Sequence, residues 1–164
     1  MKQLTHWLGA LALCSASTIA LGEEHGHETP AWQEYGPHHL SIILGGTHIS
    51  GEGTAETVGL DYEYRISDYL GLGMVIEHAA GEVNANTTLA VADLHPFHNP
   101  FIVQLGVGVE ARNGEEEGDV FVARAGMLYE FEHGRYTLSP QLHWDYHDRH
   151  HNAIVAGIAF GMAF

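Results

Sequence analysis

Residues 153–164 read AIVAGIAFGMAF. In an extended strand side chains alternate with period two. Ile154, Ala156, Ile158, Phe160, Met162 and Phe164 therefore share one face, and Ala153, Val155, Gly157, Ala159, Gly161 and Ala163 share the other. One face is bulky and apolar, the other nearly bare. A strand of this kind left at the edge of a sheet is an open template for aggregation, which soluble proteins avoid. A closed barrel in a membrane removes the problem. The strand pairs with the first strand, and the bulky face meets lipid.

The same alternation predicts seven further strands. The first covers 38–49. The second, 57–66, sets Val58, Leu60, Tyr62, Tyr64 and Ile66 against Thr57, Gly59, Asp61, Glu63 and Arg65, after a loop at 51–56. Ser67-Asp68 reads as a tight turn. The third strand is 69–78, and 79–86 is a loop. The fourth, 87–95, has the weakest pattern: Asp93 turns the odd positions inward and takes Leu89 and Val91 with it. His95 to Pro100 must turn, because two prolines cannot sit inside a ladder. The fifth, sixth and seventh strands cover 101–112, 120–131 and 136–146, with a loop at 113–119, a turn at 132–135 and a loop at 147–152. Pro140 is out of place in the seventh. Strands of about 9–11 residues suit a tilted bilayer crossing. Shorter connections after strands two, four and six, and mostly longer ones after one, three, five and seven, fit periplasmic turns and outer loops.

What precedes the strands fits this picture. Residues 1–22 read as a secretory signal peptide: Lys2, then the apolar WLGALAL, then small residues with Ala20 and Gly22 at cleavage spacing. Ala20 itself offers a second cleavage point. Cys14 follows Leu13, where a lipoprotein signal carries a small residue. Residues 23–36 (EEHGHETPAWQEYG) are polar, without period, and read as a flexible periplasmic lead-in to a barrel over 37–164. Without the signal, five arginines face 21 acidic residues, a balance of −16. Such a chain excludes nucleic acid as a partner and is suited to attract cations. The only cysteine leaves with the signal, so no disulfide is expected. No later run approaches the ~18 apolar residues of a membrane helix.

Period two alone does not separate a membrane barrel from a soluble one binding a hydrophobic ligand, since each is the other turned inside out. Three features favour the membrane. The polar face is rich in glycine and alanine, as a narrow lumen requires. Its charges sit mid-strand and carry both signs. Tyr62, Tyr64, Tyr129, Phe131, Trp144 and Tyr146 cluster near strand ends on the apolar face, as in an interfacial girdle. The chain resembles the small bacterial outer-membrane barrels, similar in plan to the OmpA transmembrane domain, OmpX and OmpW. Phe160, Met162 and Phe164 resemble the terminal insertion signal of that class. The resemblance implies an all-β, eight-stranded antiparallel up-and-down transmembrane barrel in the outer membrane of a Gram-negative bacterium. It also implies outer-membrane lipid, lipopolysaccharide and the barrel assembly machinery as partners.

The candidate chemistry lies first in the lumen, where Asp61, Glu63, Arg65, Glu77, Asp93, Glu110, Arg112, Arg124 and Glu130 point inward. Eight strands leave an interior just wide enough for side chains to fill. These charges are expected to pair and plug it, giving a small-porin-type envelope protein. The excess of carboxylates leaves small-solute or cation passage as the sharper alternative. A second candidate is a histidine-based divalent-metal site: His143, Asp145 and His147 alternate onto one face, with His150 and His151 following, a donor set suited to zinc, copper or nickel. No other cofactor is expected. Catalysis is not expected either. His150-His151-Asn152 lacks the serine of a His-x-Ser-Asn deacylase run, and Ser139 and His143 stand about 13 Å apart along a strand.

Overall fold

The computed structural model describes residues 30–51, 53–81, 84–96, 99–112, 118–148 and 152–164. The expected signal peptide and the first part of the lead-in lie outside them. The described chain runs through a short helix, α1 (Ala31–Tyr35), and strands β1 (His38–Ile49), β2 (Gly53–Ser67), β3 (Leu70–Ala79), β4 (Ala85–Leu94), β5 (Phe101–Arg112), β6 (Gly118–Tyr129), β7 (Phe131–His133), β8 (Tyr136–His147) and β9 (Asn152–Ala163). Each long strand pairs antiparallel with its sequence neighbours. β9 pairs with β1, and β6 with β8, so the sheet closes. The result is an eight-stranded antiparallel barrel in which β6 and β7 share one position.

Following directly opposed residues once around gives the stagger. From His39 the path runs through Glu63, Gly73, Val91, Gly106, Arg124, Asp145 and Ala153, and returns to β1 at Ile49. That is ten residues further along β1, which tilts the strands by about 40° and leaves an interior that side chains fill.

The alternation read from sequence holds throughout. Leu44, Leu60, Ile76, Val107, Leu142 and Ile158 project outward and are exposed, while Asp93, Glu110, Arg124 and Asp145 are buried within. β4 turns Thr87, Leu89, Val91 and Asp93 inward, as its odd positions were expected to do. Tyr64, Tyr129, Phe131, Trp144 and Tyr146 are exposed near strand ends on the outer face. The bulky apolar face is therefore the outside, and the interior is not the apolar cavity of a hydrophobic-ligand barrel.

Boundaries differ in three places. β2 begins at Gly53, not 57, because the ladder with β1 continues to Ile49↔Gly53. The expected loop at 51–56 is mostly strand, and the connection after β1 is one of the shortest. With six residues between β4 and β5, connection length does not alternate cleanly between the two ends. The sixth strand stops at Tyr129, and part of the expected turn at 132–135 is strand β7. The break has a cause. β6 reaches Leu128↔Gln141 and β7 resumes at Phe131↔Leu138 in the same register, so the interruption faces Pro140. Proline brings no N–H to a ladder. Glu130 N–H donates instead to the Pro100 carbonyl at 2.7 Å.

The lead-in also departs from expectation, since its last residues form α1. Gly36 follows at φ +124°, its Cα so close to the Phe164 backbone that a Cβ would come within 2.6 Å. Only glycine makes this turn easily. It swings α1 across the end of the barrel where β1 begins, the near end.

Candidate functional site: the barrel lumen

The lumen is polar because the inward face of each strand carries the small and charged half of the alternation. Beneath α1, Glu63 meets Arg65 at 3.0 Å and His95 at 2.9 Å. His39 Nε2 bonds Thr137 Oγ1 at 2.8 Å and stands 3.9 Å from Glu130. The Ala31 N–H donates to Glu132 Oε2 at 3.3 Å, and the Gln33 amide donates to Asp68 at 3.0 Å, so α1 is tied to two turns. Arg135 stacks over the Tyr35 ring, 5.4 Å from its centroid.

One step further in, Gln104 Nε2 donates to both Asp61 Oδ2 (3.1 Å) and Asp93 Oδ1 (3.0 Å). Past this pair an apolar layer crosses the barrel: Ile43, Val75, Leu89, Val91, Val122 and Ala159. Against it lies the strongest polar contact of the lumen. Arg124, 3% exposed, donates Nη1 and Nη2 to Glu77 (3.0 and 2.6 Å), and Nε and Nη2 to Asp145 (2.7 Å each). Both carboxylates are thus held in the two-pronged geometry that guanidinium matches. At the far end Glu110 accepts from Arg112 Nε (2.6 Å) and from the Thr87 hydroxyl (3.1 Å), and lies 3.3 Å from His147. Ile49, Ala55, Ala79, Ala85 and Ala153 form an apolar collar there.

All nine charges expected in the lumen line it. Their partners were the part not foreseen. Gln104 and His95 were not singled out, and Asp145 was read only as a metal ligand, although each falls on the inward phase of its strand. His143, Asp145 and His147 share one face as expected, but that face is the interior and not an outer loop. Asp145 is occupied by Arg124. His147 faces Glu110. His143 is buried with neither ring nitrogen hydrogen-bonded to a described group. His150 and His151 lie outside the described residues. Among the described residues, no three acidic or histidine groups converge as a metal site.

No protein-family model matches the sequence, and neither does any curated protein. Solved structures do match. The N-terminal barrel domain of Pseudomonas aeruginosa OprF superposes with a TM-score of 0.54 at 18% identity, covering 77% of this chain and 97% of that one. Ail, the attachment invasion locus protein of Yersinia pestis, superposes at 0.59 with 10% identity and the same coverage. OprG, an outer-membrane protein of P. aeruginosa, superposes at 0.53 with 11% identity, covering 78% of this chain and 96% of that one. The fold is that of the small outer-membrane barrels. At these identities the likeness extends to architecture, and the lumen's side chains are this chain's own.

Proposed function

We propose that this chain is an integral outer-membrane barrel whose lumen is closed, serving the envelope as a non-catalytic structural protein. The observation that carries the reading is Arg124. It fills the mid-lumen and ties β3, β6 and β8 together through two buried carboxylates. The interior spaces beside it are only water-sized, about 10 and 20 Å³. A filled and cross-braced lumen resists both solute passage and collapse. The non-catalytic reading is supported by His143, whose ring nitrogens touch no described nucleophile. Phe160 and Phe164 stand exposed on the outer face, where an insertion factor and then lipid would meet them.

Planar-bilayer recording tests the reading. The folded protein, identified by its mobility change on boiling, is expected to give no discrete conductance steps. Steps that reverse at a cation-selective potential would replace the closed barrel with a cation path.

A further inference from the structure

We infer that the near half of the lumen holds a binding site for one desolvated monovalent cation of the size of a water molecule, with sodium as its natural occupant. The site is the cavity of about 20 Å³ between the Asp61–Asp93 pair and Glu130, with Ser41 and Ser139 in its wall. That volume admits a single water-sized guest.

Three independent observations place a cation there. The first is charge. Asp61, Glu63, Asp93 and Glu130 border the cavity, and Arg65 beside Glu63 is the cationic group that answers them. Arg124 is fully engaged by Glu77 and Asp145 on the other side of the apolar layer. Buried carboxylates left without a countercharge are costly and must take up a proton or a cation. The second is unmet hydrogen bonding. Asp61 Oδ1 is buried with no partner among the described residues, and both amide atoms of Gln141, a residue 6% exposed, are also unpaired. Gln141 follows Ser139 on the inward face of β8, and Ser139 itself is 2% exposed. The third is access. A second small space beneath α1 shares His39, Glu63 and Glu130 with this one, so the site opens toward the near end. On the far side it stops at the apolar layer of Val75, Leu89 and Val122. It is a dead-end chamber, not a pore.

The donor set selects the ion. Carboxylates, hydroxyls and a side-chain amide are hard oxygens, which suit alkali and alkaline-earth ions and not zinc or copper. Three anionic groups do not converge at ligand spacing. That count is too low to replace the tightly held water of magnesium or the six to eight oxygens of calcium. A singly charged ion with a loose shell fits.

The site does not depend on conduction, so its failure is separable from that of the closed-barrel reading. The test follows the urea midpoint of unfolding of the full barrel in phosphatidylcholine vesicles, at one ionic strength, in sodium chloride or N-methylglucamine chloride. Sodium is expected to raise the midpoint in a saturable way. The double variant Asp61→Asn/Asp93→Asn keeps the volume and loses the charge; it should lose the sodium dependence while still shifting its gel mobility on boiling. Ser139→Ala, with all carboxylates intact, should move saturation to higher sodium. Identical wild-type midpoints in the two salts would show that protons neutralise the carboxylates and would overturn the proposal. So would a sodium effect surviving in the double variant, or a calcium effect larger than that of sodium at matched ionic strength.

Discussion

At the scale of single residues, the lumen is governed by whether each buried charge has a partner. Arg124 makes the point most sharply. Replacing one member of a buried ion pair leaves the others stranded, which costs about 3–5 kcal/mol. Arg124→Met should therefore destabilise the barrel by roughly that amount, measured by reversible urea unfolding in bilayers, because Glu77 and Asp145 both lose their donor. Removing the stranded charges as well, in Glu77→Gln/Arg124→Met/Asp145→Asn, should recover most of the loss. If the single variant unfolds at the wild-type midpoint, the cluster is not the brace proposed here. The sequence showed which of these side chains face inward, because period two fixes the face of every residue once one is known. It did not show that Arg124 would choose Glu77 and Asp145 over other carboxylates. That choice depends on the ten-residue stagger, which puts residues of three separate strands side by side and leaves no trace in local pattern. The pairing of Asp61 with Asp93 through Gln104 was hidden for the same reason.

At the scale of elements, the decisive one is the seam where β9 closes on β1. Gly45 and Gly157 are directly opposed there. A Cβ on Gly45 would come within 2.8 Å of the Gly157 Cα and 3.0 Å of the Ala156 carbonyl carbon, both backbone atoms that cannot step aside. One residue on, Gly46 meets only the Ala55 carbonyl, at an ordinary 3.4 Å. Gly45→Val is expected to prevent closure, leaving the unboiled protein at the mobility of the boiled one, whereas Gly46→Val should retain the shift. Equal behaviour of the two would mean that the seam tolerates a side chain and that closure is not what these glycines serve. The alternation of β9 announced a strand needing a partner, so the seam was readable in outline. The split of β6 from β7 was half readable. Pro140 looked anomalous within its strand, but its consequence falls on the opposite strand, where Glu130 leaves the ladder. The early start of β2 was not readable, since the run from Gly53 to Glu56 carries no apolar alternation and is strand only because β1 continues opposite it.

At the scale of the whole molecule, the question is what surrounds the barrel. Its outer surface has an aliphatic middle, with Leu44, Leu60, Ile76 and Ile158, and aromatic margins, with Tyr64, Tyr129, Phe131 and Tyr136 toward the near end and Phe121 and Tyr146 toward the far one. Water would make this costly. Hydrocarbon with an interface on each side makes it favourable. The two environments predict different costs for one substitution made at two heights. Leu60 sits at the centre of β2, exposed on the outer face, and Thr54 lies on the same face near its far end. Six residues separate them, about 20 Å along the strand. In a bilayer an arginine at the mid-plane costs ~2–4 kcal/mol and one near the interface ~0–1. Leu60→Arg should thus lower stability in vesicles by at least about 2 kcal/mol more than Thr54→Arg does. In water both arginines would be solvated, and the difference would shrink below about 1 kcal/mol, since surface substitutions in soluble proteins fall within about 0.5 kcal/mol of neutral. A large difference places the barrel's waist in hydrocarbon and makes its charged interior the only polar route between the two ends, the route that Arg124 and the apolar layer beside it hold shut.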